Sequence, residues 1–291
     1  GQISPPLAGV PPVVARGQGG LLDVALDQKF ADNRTVYLSF ADPREGGKNG
    51  TSLARARLTL DETGGRLEET RIIFRQLPAW SSNAHFGSRI VFARDGSLFL
   101  TVGDRYAARD EAQKPENHIG KVLRLNPDGT PHAGNPKKPG WAPEVWSIGH
   151  RNVQAAAIHP DTGQLWTIEH GARGGDEVNR PEAGKNYGWP VITYGRDYSG
   201  VPIGVGARKD GLEQPVYYWD PSIAPSGATF YSGRLAPDWK GNLFVGALAG
   251  SHVARLVLKG NEIVAEEKLL TDRGELAAPA DVDQLLNRPW K

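Results

Sequence analysis

The sequence contains no cysteine and no methionine among its 291 residues. Without cysteine, the chain cannot form a disulfide, a thiolate metal site or a thiolate nucleophile. Its charges nearly cancel, with 34 Lys and Arg against 33 Asp and Glu, and an almost neutral chain has no overall field that attracts a nucleic acid. No apolar run approaches the roughly 18 residues that a membrane span requires. We therefore expect a globular protein with no nucleic-acid partner and no membrane span.

Turn-forming residues are abundant, with 36 Gly and 22 Pro, and a repeat runs through the chain. A Pro, Gly or Asp turn followed by a short alternating strand occurs four times, and the equivalent points lie about 60–80 residues apart. The repeated segments span residues 31–40, 93–104, 159–171 and 236–248. Another apolar strand precedes each of them, and most are followed by a third. Repeated units of this kind are typical of the blades of a β-propeller.

The repeat predicts an all-β fold, a β-propeller of four-stranded blades, in which 1–291 form a single domain. The inner strands of four blades are expected to begin near Gly20, Ser88, Val153 and Ser226. The long segments between strands would be loops over one face, where propellers bind ligands. A β-sandwich of unrelated strands is the alternative. Residues 274–288 are the one stretch with a weakly helical pattern.

Two segments place chemically useful side chains at strand entrances. His85 precedes a strand in SSNAHFGSRIVF, and a neutral imidazole near pH 7 is a competent general base. Arg151 and Asn152 occupy the equivalent place in SIGHRNVQ, where a guanidinium could contact carboxylate or carbonyl oxygens. A structural histidine and a turn with a solvated arginine are the alternatives. Because equivalent entrances are neighbours around a propeller axis, we expect these residues to converge on one concavity.

Residues 169–179, EHGARGGDEVN, combine three glycines with three acidic residues. This composition predicts an irregular loop whose carbonyls and carboxylates could ligate a hard cation such as Ca²⁺. The spacing does not match an EF-hand. The nearby GKNYGWP, residues 184–190, is interpreted as a fixed aromatic turn or as part of the core.

Taken in order, seven motifs resemble the soluble glucose/sorbosone dehydrogenase family, the aldose sugar dehydrogenases that use pyrroloquinoline quinone (PQQ). They extend from about residue 16 to residue 273 and read RGQGGLLDVALDQKF, HFGSRIVF, GKVLRLNPDGT, EVWSIGHRNVQ, EHGARGGDEVN, GKNYGWP and APSGATFY. The resemblance implies a six-bladed propeller that binds PQQ over its mouth with Ca²⁺ beside it. It also implies oxidation of the anomeric carbon of aldoses to a lactone.

The resemblance assigns roles to residues by their place in these motifs. His85 matches the catalytic base, Asp104 the carboxylate that orients it, and Gln18 a residue on the sugar side. Arg151 and Asn152 match the pair that contacts the quinone. It assigns a hydroxyl contact with a cofactor carboxylate to Ser222. It implies that the backbone carbonyls of Gly171 and Ala172 hold the Ca²⁺ and that the Asp176 carboxylate, in the same loop, supports this site.

Two departures from the family pattern bear on these expectations. Four blades are recognisable, so the chain is expected to be incomplete at both ends, and the family's terminal arginines are not found. Ala249 stands where some members have a lysine that binds PQQ. A non-catalytic propeller that binds a sugar or a protein partner is therefore an alternative to the dehydrogenase, and a Ca²⁺-dependent propeller lactonase is a third.

The interpretation as a dehydrogenase also predicts the partners and the location of the protein. The substrates would be aldose sugars, and an external acceptor such as a quinone, a dye or a cytochrome would take the electrons. The protein is expected to be periplasmic or secreted, and a monomer or a homodimer.

Overall fold

The computed structural model describes residues 5–61 and 64–271, and strands make up most of its regular secondary structure. Within these ranges, sixteen strands form four sheets of four strands. The described residues also contain one short α-helix, α1, at Phe30–Asn33. Three short 3₁₀ helices in the same part of the chain occupy Glu45–Gly47, Arg109–Gln113 and Pro237–Trp239. No helix in the described ranges is both long and apolar enough to cross a bilayer.

Each sheet is built from consecutive strands. The first contains β1 Leu21–Leu26, β2 Thr35–Pro43, β3 Asn49–Asp61 and β4 Gly64–Arg75. The second contains β5 Gly87–Phe92, β6 Leu98–Val102, β7 Lys121–Leu125 and β8 Val145–Ile148. The third contains β9 Val153–Ile158, β10 Leu165–Glu169, β11 Asp176–Asn179 and β12 Tyr217–Trp219. The fourth contains β13 Pro225–Phe230, β14 Leu243–Ala247, β15 His252–Lys259 and β16 Glu262–Leu269.

The chain divides into two compact units, Gly1–Trp146 and Ser147–Lys291. In the first unit, the Tyr37 ring of β2 meets the Phe92 ring of β5 edge-on, with centroids 5.2 Å apart. The Ser39 hydroxyl donates to the Ser88 carbonyl over 2.6 Å. These contacts join the first two sheets along β5.

The second unit is organised around an apolar core shared by the third and fourth sheets. Trp166 of β10 is fully buried, and its ring stands perpendicular to the Phe230 ring of β13 at 5.6 Å. Val178, Leu243 and Val245 belong to the same cluster. Because side chains alternate across a strand, burying Val178 on this face puts its neighbours in β11 on the opposite one.

The structure confirms the predicted fold class, an all-β chain of four-stranded blades of the propeller type. The inner strands β1, β5, β9 and β13 begin within one residue of the predicted positions. The interpretation of residues 169–179 as wholly irregular is corrected, because Asp176–Asn179 form β11 and pair with β10. The glycines before β11 concealed its alternation. Residues 274–288 lie outside the described residues, and the single-domain assignment stays a prediction.

Candidate functional site

The first unit holds a buried histidine–carboxylate pair. His85 lies two residues before β5, and its Nδ1 is 2.6 Å from Asp104 Oδ1. The two side chains are 8% and 1% exposed. His85 has a left-handed backbone with φ 52°, a conformation that few residues with a Cβ adopt. The local backbone is therefore bent to bring the imidazole onto the carboxylate.

Two neighbours fix the orientation of this pair. Gln18 accepts the His85 backbone N–H through Oε1 over 2.8 Å. The Tyr106 backbone N–H donates to Asp104 Oδ1 over 2.8 Å, and the Tyr106 ring stands edge-on to the imidazole with centroids 5.3 Å apart. Gln18 and Tyr106 are themselves exposed. The predicted residues Gln18, His85 and Asp104 are thus brought together by direct contacts.

The geometry assigns the two imidazole nitrogens different tasks. An ionised Asp104 only accepts hydrogen bonds, so Nδ1 carries the proton in the neutral ring. Nε2 then keeps its lone pair, and no residue within the described ranges hydrogen-bonds to it. A carboxylate behind the ring also stabilises the imidazolium that forms when Nε2 takes a proton. The pair is therefore suited to general base catalysis.

The second unit presents a buried guanidinium. Arg151 is 4% exposed, and its Nη1 donates to the His170 carbonyl over 3.1 Å and to the Gly171 carbonyl. Its guanidinium lies 5.2 Å from the centroid of the Trp189 ring. Among the described residues no carboxylate side chain pairs with this guanidinium, and its Nε is buried without a partner. A buried cation without a counter-charge suits an anionic ligand.

Glu169, which the sequence reading did not single out, anchors this region. Its Oε2 accepts the Arg151 backbone N–H over 2.6 Å. Its Oε1 accepts from His150 Nδ1 and from Asn179 Nδ2, each over 3.0 Å. Burial, together with the charge of Glu169, raises the pKa of Glu177 to about 8. Glu169 directly precedes His170, Gly171 and Ala172, which we call the His-Gly-Ala turn, and an acidic residue at that place was the available sequence signal for this anchor.

The His-Gly-Ala turn is held by a single carboxylate. Asp176 accepts the Gly171 N–H through Oδ1 over 2.8 Å, and the Ile223 and Ala224 N–H groups through Oδ2 over 2.8 and 2.9 Å. A Cβ on Gly171 would lie 2.2 Å from the Gly174 carbonyl oxygen. Asp176 therefore shapes the turn, and only glycine fits at position 171.

The remaining predicted positions adjoin this turn or the Arg151 segment. Ser222 Oγ accepts the Gly174 N–H over 3.0 Å, so its hydroxyl proton is available to a further acceptor. The Asn152 carbonyl accepts the His170 N–H over 3.1 Å, and its Oδ1 accepts from Gln154 over 3.1 Å. Hydrogen bonds thus link the Arg151–Asn152 segment to the His-Gly-Ala turn, and Ser222 is tied to Gly174, two residues after that turn.

A metal ion bound near the His-Gly-Ala turn would take its protein ligands from backbone carbonyl oxygens. Across residues 5–61 and 64–271, no group of three or more His, Asp or Glu side chains is arranged to hold a metal ion. Both Asp176 oxygens already accept backbone N–H groups. The Gly171 and Ala172 carbonyls are neutral donors of the kind that Ca²⁺ accepts. They fit a cation that draws its other ligands from an anionic molecule.

Comparisons with known proteins cover nearly the whole chain. A family model described as Glucose / Sorbosone dehydrogenase matches residues 1–277. Aldose sugar dehydrogenase YliI of Escherichia coli (strain K12) is 43% identical over 277 residues, which cover 94% of this chain and 74% of that protein. The residues that the family model matches include every candidate position of both units.

Solved structures give the same result. One described as a crystal structure of glucose dehydrogenase is 50% identical, with a TM-score of 0.90, and the match covers 93% of this chain and 79% of that chain. The PQQ-bound aldose sugar dehydrogenase of Streptomyces coelicolor is 31% identical, with a TM-score of 0.75, over 94% of this chain and 73% of that one. The similarity therefore extends to both sequence and fold.

Proposed function

We propose, since the chain belongs to the Glucose / Sorbosone dehydrogenase family of oxidoreductases, that it oxidises aldose sugars at the anomeric carbon to lactones, with PQQ as its cofactor. The observation that carries this proposal is the buried His85–Asp104 pair at 2.6 Å. Oxidation of a hemiacetal carbon requires a base for the hydroxyl proton, and this pair leaves one imidazole nitrogen ready to accept it.

His85 takes the proton from the anomeric hydroxyl at Nε2. Asp104 keeps Nδ1 protonated and stabilises the imidazolium as it forms. Gln18, which binds the backbone of His85, has an exposed side chain, and we assign its amide to contact with the sugar. The chain thus supplies proton removal and sugar orientation.

Arg151, Asn152 and Ser222 would hold the cofactor. PQQ carries three carboxylates and an ortho-quinone, and when bound it supplies the acceptor for the hydride that leaves the anomeric carbon. Arg151 places a positive charge, unpaired with any carboxylate side chain of the described residues, where negative charge develops. The Ser222 hydroxyl proton is suited to donate to a carboxylate of the cofactor.

The Gly171 and Ala172 carbonyls would hold a Ca²⁺ ion, which would act as a Lewis acid on the cofactor. Arg151 also contacts the Gly171 carbonyl, so a second cation at that oxygen meets electrostatic repulsion. We expect the anionic cofactor to supply the charge that this site lacks. The ion and PQQ should therefore bind cooperatively.

Electrons would leave to an external acceptor such as a quinone, a dye or a cytochrome. We place the reaction in the periplasm or outside the cell, as the resemblance to the family implies, and the absence of cysteine from the sequence is compatible with export. Fractionation of the native host, followed with an antibody, tests this location.

A non-catalytic sugar-binding protein is the second candidate, and Ala249 favours it. Its backbone N–H donates to the Ile223 carbonyl over 3.0 Å, which places it beside the segment that carries Ser222. An alanine there contributes no charge to bind an anionic cofactor. This candidate predicts sugar binding without PQQ binding.

Reconstitution separates the two candidates. The purified chain is incubated with PQQ and Ca²⁺, and dye reduction is followed with a panel of aldoses, beside a His85→Gln variant. Sugar-dependent reduction that is lost in His85→Gln supports the dehydrogenase. Sugar binding by calorimetry with no PQQ binding at saturating Ca²⁺ establishes the second candidate instead.

A further inference from the structure

Among the described residues of the first unit, Arg105 is the largest charged side chain that is fully buried, and none of the roles above uses it. Its exposed fraction is 0%, which it shares with few side chains of its size. Taking a guanidinium out of water costs several kcal/mol unless its surroundings compensate. A residue kept buried at that cost, directly after Asp104 in the sequence, calls for a physical explanation.

The surroundings of Arg105 are neutral oxygens and one aromatic ring. Nη2 donates to Asn49 Oδ1 over 2.5 Å and to the Ser82 carbonyl over 2.7 Å. Nη1 reaches the His85 carbonyl over 3.4 Å. The guanidinium lies 3.6 Å from the centroid of the Phe86 ring. Among the described residues, no carboxylate accepts a hydrogen bond from it.

These contacts converge on the backbone around His85. Ser82, His85 and Phe86 lie in the segment that enters β5, while Asn49 is the first residue of β3. The Arg105 backbone N–H also donates to the His85 carbonyl, over 3.3 Å. Arg105 therefore touches the catalytic segment through its main chain, its guanidinium and its stacking face.

The conformation of His85 explains the effect of these Arg105 contacts, which we call the Arg105 clamp. The φ angle of 52° is unfavourable for a residue with a Cβ by roughly 1 kcal/mol. A relaxed φ would swing the imidazole away from Asp104. The planar guanidinium of Arg105 binds the His85 carbonyl and the nearby Ser82 carbonyl, and these contacts oppose that relaxation. A lysine has one compact donor group and cannot make the same set of contacts.

The Arg105 guanidinium is protonated at neutral pH. Burial lowers the pKa of Arg105 to about 10, and the charge of Asp104 opposes that effect. The guanidinium therefore keeps all of its donors throughout the working pH range of a histidine base.

We propose that Arg105 is a positioning residue that holds the His85 backbone in its left-handed conformation and so keeps the imidazole hydrogen-bonded to Asp104. It acts through His85 and does not touch the sugar. The inference rests on the proposed function for its kinetic consequence, although the positioning itself can be measured without turnover.

The test uses the full chain with Arg105→Lys, Arg105→Met and the milder Asn49→Ala, which removes one acceptor of the fork. The control is Arg255→Lys. Arg255 is also buried, lies 4.6 Å from the Trp239 ring centroid and donates to Asn242 Oδ1 over 3.0 Å, but it belongs to the fourth sheet and its Nε also donates to the Glu267 carboxylate over 3.0 Å. Similar losses of stability in Arg105→Lys and Arg255→Lys would show that an effect confined to the Arg105 variant does not come from general destabilisation.

The first measurement is proton NMR of the protein without PQQ. The low-field resonance of the His85 Nδ1–H, assigned by its loss in His85→Gln, should disappear in both Arg105 variants, weaken in Asn49→Ala and persist in Arg255→Lys. This measurement does not depend on dehydrogenase activity. If the wild-type chain proves inactive with PQQ, the proposed function fails while this result still decides the positioning.

The second measurement is kinetics per PQQ-loaded site, with loading determined by titration so that misfolded protein is not counted. We expect kcat to fall about 100-fold in the Arg105 variants, the loss that a misplacement of roughly 1 Å can cause, with KM for the aldose and PQQ affinity unchanged. A folded Arg105 variant that retains the resonance or the wild-type kcat overturns the inference. If neither Arg105 variant folds, Asn49→Ala is tested in the same way: an unchanged His85 resonance or a wild-type kcat in that variant overturns the inference.

Discussion

The Asp176 carboxylate accepts the Gly171 backbone N–H over 2.8 Å, and its second oxygen accepts two further N–H groups from Ile223 and Ala224. One side chain thus ties the His-Gly-Ala turn to the start of the fourth sheet. An amide in its place has only one acceptor oxygen. At least one of these buried N–H groups would then face an NH₂ group.

Asp176→Asn should therefore destabilise the protein by about 1–3 kcal/mol, the cost of leaving a buried donor unsatisfied. Chemical denaturation measures this loss. Asp128→Asn is the control, because Asp128 accepts the backbone N–H of Thr130 in an exposed turn and its replacement should change stability little. Equal stability of the two variants would contradict the role given to Asp176.

Gly171→Ala should distort the turn, because the added Cβ would lie 2.2 Å from the Gly174 carbonyl oxygen. We expect the affinity for PQQ in the presence of Ca²⁺ to drop at least about tenfold, equivalent to roughly 1.4 kcal/mol, as measured by fluorescence titration. Gly50→Ala provides the control, since its nearest neighbour would be at an ordinary 3.5 Å. Unaltered affinity in Gly171→Ala would show that these carbonyls do not serve the cofactor.

His85→Ala should lower turnover by about 10²–10⁴-fold, the usual contribution of a positioned base. Binding of PQQ should be nearly unchanged, because none of the cofactor contacts assigned above involves His85. Stopped-flow reduction of the loaded protein by an aldose measures the chemical step directly. Wild-type rates in this variant would remove His85 from the mechanism.

Calcium and PQQ should bind with reciprocal cooperativity. The two neutral carbonyls at Gly171 and Ala172 lack charge, so the apparent PQQ affinity should rise with Ca²⁺, fall with chelator and show the same coupling when the titration is reversed. Isothermal calorimetry in both directions tests this. Tight PQQ binding that is indifferent to Ca²⁺ would contradict the calcium site.

The buried Lys121 side chain should make the free energy of unfolding depend on pH. Its Nζ is buried and donates to the carbonyls of Glu111 at 2.9 Å, Ala112 at 3.2 Å and Ile119 at 2.5 Å. Burial lowers its pKa from 10.5 to about 7. Between those pH values the unfolded chain binds more protons than the folded one, so wild-type stability should rise with pH across this window.

The comparison with Lys121→Met isolates that effect. The variant leaves the carbonyls without their donor and should lose about 3 kcal/mol at pH 7. The stability difference in favour of wild type should then widen from pH 7 to pH 10. Urea denaturation at a series of pH values measures it, and a difference that stays constant would mean that the three carbonyls keep the ammonium protonated.

The sequence by itself determined the blade pattern. Alternating apolar residues separated by turns located all four inner strands to within one residue, because a side-chain period of two is a local property. It failed at Asp176–Asn179, where neighbouring glycines masked a four-residue strand that pairing with β10 stabilises.

Motif resemblance pointed to His85, Asp104 and the His-Gly-Ala turn as candidate site residues, but what holds them in place was decided by the tertiary structure. Arg105 and Glu169 read as ordinary charged residues in the sequence. Only folding brings the Arg105 fork to the Ser82 and His85 carbonyls and the Glu169 carboxylate to the Arg151 backbone. The partners in the last two contacts are 20 and 18 residues apart. Local periodicity carries no information about partners so far along the chain, because strand pairing and burial decide which groups meet.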